Sequence, residues 1–73
     1  MKIFLIGHDS WGHDCYSDFV IVANNEIEVR TMAMEMAAAE GREPWETAEI
    51  TEQGVYTGDK TMPFCMLASF HAG

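Results

Sequence analysis

Positive charge is what this sequence has least of. Four Lys and Arg stand against twelve Asp and Glu, a formal charge of −8 over 73 residues. Such a chain repels phosphate backbones, so direct nucleic-acid binding is disfavoured. Cysteine is nearly as scarce. Cys15 and Cys65 are too few and too widely spaced for a secreted disulfide scaffold, and they read as reduced thiols of a cytoplasmic protein. No apolar run approaches the ~20 residues of a membrane helix, and Met1–Gly7 is too short for a secretory signal. Catalytic signatures are missing as well. There is no phosphate-binding glycine loop and no G-x-G-x-x-G, and Ser10, Ser17 and Ser69 sit in no nucleophile elbow. The chain therefore reads as non-enzymatic and without a cofactor.

What is present is enough apolar material for one small core. The hydrophobic fraction is 48%, well above the disordered range. The length allows a single domain, 1–73, burying only roughly 60% of the surface its unfolded chain exposes. Lys2–Gly7 (K-I-F-L-I-G) is a short run rich in β-branched and aromatic side chains, which predicts a central strand covered on both faces. Residues 8–17 have loop composition. Asp18–Ala23 (D-F-V-I-V-A) is a second strand, and the ten-residue polar connection suits an antiparallel pair.

A helix follows. Asn25 is placed as N-cap, with Glu28 three residues on for a capping box. The helix is expected to run to about Glu40, with Gly41 as its left-handed terminator and Pro44 preventing a restart. At 100° per residue, Ile27, Met34 and Ala38 fall together and are expected to face the sheet. Val29, Met32, Ala33 and Met36 form a second apolar group round the side. That Met-rich side is a candidate contact surface, because methionine adapts to varied partners.

Thr47–Gln53 alternates Ala48 and Ile50 against Glu49, Thr51 and Gln53, which predicts an antiparallel edge strand. Gly54 and Gly58-Asp59 mark a turn region, and Phe64–Phe70 is a last strand, apolar on both faces. The expected fold is α+β in the order β-β-α-β-β: a four-stranded, mainly antiparallel sheet with one helix on one face.

At this point several stretches look familiar. M-K-I-F-L (Met1–Leu5), Y-S-D-F-V-I-V-A (Tyr16–Ala23), W-E-T-A-E-I (Trp45–Ile50) and above all M-L-A-S-F-H-A-G (Met66–Gly73) resemble a group of small proteins encoded by bacteriophages and bacteria. The resemblance covers most of the chain, which departs from it in a longer, Met-rich helix and a His-rich first loop. It implies accessory phage company, in which some small acidic proteins block host defence complexes as anti-CRISPR proteins do. It carries over no functional residue.

Two constellations compete for function. The first is acidic: a −8 domain is steered toward basic surfaces such as the nucleic-acid channel of another protein, although acids also simply keep small proteins soluble. Asp9, Asp14, Asp18, Glu49 and Glu52, on a loop and an edge strand, are the expected partner-binding acids. Trp11, between Ser10 and Gly12, is the expected aromatic anchor. Trp45, just after Pro44, reads equally as a plug for the core. The second constellation is His8, His13 and Cys15, weak candidates for zinc with His71 or Cys65 as a distant fourth ligand. The favoured reading is an inhibitor of a basic surface on a host defence complex, working in the host cytoplasm. The alternatives are a homodimeric accessory protein pairing through the Met32/Met36 helix side or the final strand, and a small metal-binding domain.

Overall fold

The computed structural model describes residues 1–8, 15–41 and 43–71. The strands are β1 (Lys2–Gly7), β2 (Cys15–Ala23), β3 (Glu49–Val55) and β4 (Phe64–His71), and the helices are α1 (Glu26–Met36), a single 3-10 turn (Ala38–Glu40) and a short α2 (Glu43–Glu46). The four strands form one sheet in the order β3-β1-β2-β4, with antiparallel neighbours throughout. The fold is α+β, as the sequence predicts, with β1 and β2 central and β3 an edge.

The turn into α1 forms because Asn25 caps it. The Glu28 N–H donates to Asn25 Oδ1 at 2.9 Å. In return the Glu28 carboxylate accepts from the backbone N–H of Asn24 at 2.7 Å, one residue earlier than a capping box would place it. Asn25→Ala should therefore lower the unfolding free energy by about 1 kcal/mol in a urea titration. An unchanged midpoint would show that the cap is redundant.

At the other end α1 stops at Met36, and the chain tightens into the 3-10 turn before Gly41, whose φ of 96° suits glycine. The expected block to a restart is wrong. Pro44 lies in the first turn of α2, where its missing N–H would have had no helical partner anyway.

The expected helix face also needs correction. Val29, Ala33 and Ala37, at spacing i, i+4, i+8, are the residues fully buried against the sheet, while Ile27 is 80% exposed. Small alanines let α1 approach the sheet closely, and Met32 and Met34 fill in at the flanks. Beneath them lie Phe4 and Ile6 of β1 and Phe19, Ile21 and Ala23 of β2. Trp45 closes one end of this core with no exposure at all, its ring centroid 4.9 Å from that of Phe19 and 4.5 Å from His8. Arg30 fixes this arrangement. Its Nη1 donates to the carbonyls of Trp45 at 2.8 Å and Ala48 at 2.9 Å, tying α1 to the chain that leads into β3.

Candidate protein-binding face

One helix covers one side of the sheet, so the other side must present whatever its alternating residues are. In an antiparallel pair, residues directly opposite each other point to the same face. The register Thr51–Leu5–Val20–Leu67 thus places three aliphatic side chains in a row across β1, β2 and β4 on the helix-free face. Leu5 is 36% exposed and Leu67 66%. A shallow depression of about 290 Å³ lies among Leu5, Asp18, Val20, Leu67 and Ser69. The expectation that β1 is covered on both faces does not hold. Its helix-side residues Phe4 and Ile6 are buried, but Leu5 meets solvent.

The next row on this face is acidic. Gly7 pairs with Asp18 on one side and Glu49 on the other. Gly7 has no side chain, and a Cβ there would collide with the Asp18 carboxylate, which rests over the glycine backbone. Asp18 and Glu49, two strands apart at about 10 Å, therefore border the apolar row with no described side chain standing between them. Two of the acids singled out in the sequence thus share one face.

Glu52 does not join them. Gln53 is an extra residue in β3, the bulge that shifts the register between Ile3 and Phe4, and Glu52 pairs with Phe4 on the helix side. There its carboxylate meets Lys2 Nζ at 3.3 Å, an exposed pair. Asp9, Trp11 and Asp14 lie outside the described residues.

At the opposite end of the face the chain folds back on itself. Tyr56 N–H donates to the Met1 carbonyl at 3.1 Å, and Tyr56 meets Phe64 edge-on at 5.4 Å. The Lys60 ammonium lies 5.3 Å from the Phe64 ring centroid. Val22, opposite both Ile3 and Phe64, is fully buried. Among the described residues the helix-free face is thus closed at its Phe64 end and open at its Asp18 end.

The remaining candidates are placed differently. Trp45 is a core plug and not an anchor. Met32 packs against the core, leaving Met36, 38% exposed, as the freer of the pair. His8 sits edge-on against Trp45, with Nε2 3.1 Å from the Tyr16 carbonyl. His13 and the Cys15 side chain lie outside the described residues. Cys65 packs against the core side, where burial pushes its thiol up from the ordinary value, and its Sγ donates to the Leu67 carbonyl at 3.3 Å. A thiol kept protonated is a weak nucleophile and a poor metal ligand. No helix among the described residues is long and apolar enough to cross a membrane.

The open apolar row was missed in the sequence because a run apolar at every position reads as buried on both sides. The signal that would have found it is the count of covering elements, since one helix cannot clothe two faces. Comparison with protein-family models, with curated proteins and with solved structures finds no match to this chain.

Proposed function

We propose that this chain is a non-enzymatic protein-binding module that docks on a basic protein surface through the helix-free face of its sheet and blocks it. The observation that carries the reading is the uncovered row Leu5–Val20–Leu67 bordered on the same face by Asp18 and Glu49. Apolar area supplies the attraction at close range, and the acidic border selects a cationic rim and speeds encounter. The chain's charge of −8 acts in the same sense. Host defence complexes that grip nucleic acid, those of the CRISPR–Cas kind among them, hold it in positively charged channels. A small acidic domain seated there excludes the phosphate backbone. The resemblance to phage and bacterial proteins supports the same class of target, met in the host cytoplasm.

Direct binding to a purified RNA-guided nuclease complex without target DNA tests this. The dissociation constant should rise at least tenfold between about 0.1 M and 0.5 M salt, because rim charges are screened over a Debye length that shortens from ~10 Å. Binding that survives molar salt, or none across a panel of such complexes, overturns the proposal.

A further inference from the structure

The two edges of the sheet are built differently. An edge strand offers a row of unpaired N–H and C=O groups to any passing strand, and proteins usually blunt it. The β3 edge is blunted by exposed Glu49 and Glu52, the Lys2–Glu52 pair and the bulge at Gln53. The β4 edge is not. From Phe64 to His71 it carries no Asp, Glu, Lys, Arg or Pro. β4 has one inserted residue, Met66, near its start; from Leu67 to His71 none of its residues is skipped, and the second shift in the ladder is an extra residue of β2, Ser17, between the partners of Ser69 and Phe70. Met66 and Leu67 are 51% and 66% exposed, the latter with a same-face neighbour, Val20, on one side only.

We propose that β4 pairs with the β4 of a second copy of this chain, antiparallel about a two-fold axis at Ser69, joining two four-stranded sheets into one of eight. Ser69 is the midpoint of 67–71, the stretch in which β4 has no inserted residue of its own, so the axis sets it opposite its own copy. β4 itself holds no Asp, Glu, Lys or Arg, so two copies of the strand meet with no like charges in the new ladder. Nor does the net charge of the chain prevent the pairing. The acid in register with the edge is Asp18, opposite Ser69. Across the dimer the two Asp18 residues stand three strand spacings apart, about 14 Å, which exceeds the ~8 Å Debye length at physiological salt. The acids of β3 lie further out still. Assembly stops at two, since both outer edges are then the blunted β3, and a two-fold interface closes on itself. Pairing uses the backbone, so the Leu5–Val20–Leu67 rows remain open and become continuous. The inference stands independently of what those rows bind.

Sedimentation velocity of the full chain up to about 500 μM, a range that reports sub-millimolar association, tests it. The expected species has twice the 8.2 kDa chain mass. Ser69→Lys and Ser69→Glu, each placing like charges opposite each other across the axis, should each weaken the dimer at least tenfold, and an equimolar mixture should restore it. Hydrogen exchange on the wild type is the second measurement. The outward amides of 67–71 should gain protection on concentration while those of β3 do not. A wild type that stays monomeric, single variants that dimerise like the wild type, or concentration-independent exchange in 67–71 overturns the proposal.

Discussion

Trp45→Ala should lower the unfolding free energy by about 3–5 kcal/mol, the cost of truncating a fully buried aromatic. A chain of 73 residues has in all about 4–11 kcal/mol to lose. The indole is completely enclosed, bounded by Phe19 and His8, while its own backbone carbonyl is held by Arg30. Truncation leaves a cavity that the short α2 does not readily collapse to fill, because Arg30 holds the chain at Trp45 and again at Ala48, just after the helix. Urea unfolding followed by far-UV circular dichroism measures this without relying on the deleted fluorophore. The urea midpoint of the variant should fall by a third or more of its wild-type value. A loss below about 1 kcal/mol would place the residue outside the packed core.

The second large effect concerns recognition. Asp18→Lys combined with Glu49→Lys should weaken binding to a basic target by at least 100-fold, about 2.7 kcal/mol. Setting like charge against a cationic rim costs several kcal/mol. The salt dependence should flatten or reverse in the same variant. Net charge alone is controlled by Glu35→Lys with Glu46→Lys, two exposed positions on the helices, which change the total charge equally but leave the helix-free face intact. The control should bind within a few-fold of wild type. If both pairs lose affinity alike, only the overall field matters and the face has no special role.

The architecture was legible where local chemistry is strong. The runs K-I-F-L-I-G and D-F-V-I-V-A gave two central strands, Asn25 with Glu28 located the start of the helix, and the alternation around Ile50 marked an edge strand. What could not be read was decided by distant partners. The apolar arc of α1 is wide enough for two stripes, and the choice of Val29, Ala33 and Ala37 over Ile27 follows from close packing on the sheet and from Arg30 reaching Trp45 and Ala48. Glu52 faces away from Glu49 by simple alternation, three residues on, whereas the bulge just after it turns Gln53 out of the expected Glu49–Thr51–Gln53 row, and no feature of T-A-E-I-T-E-Q announces an inserted residue. The bulge at Ser17 likewise brings Tyr16 and Phe19 to the same side, with ring centroids 4.9 Å apart. Of the candidate site, Asp18 and Glu49 stand out in the sequence only for lying on a loop and an edge strand rather than along the helix. That they share a row follows only from both pairing with Gly7, which is a property of register.

The strand order has a consequence for how the protein is made. The two middle strands are neighbours in sequence, whereas the β2–β4 ladder joins Cys15 to His71 and so spans nearly the whole chain. During synthesis a nascent hairpin can form early, but one flank of β2 keeps its backbone groups without strand partners until β4 clears the ribosome. The period of greatest risk of mispairing therefore lies between the emergence of β2 and that of β4, and the late docking of β4 completes the sheet.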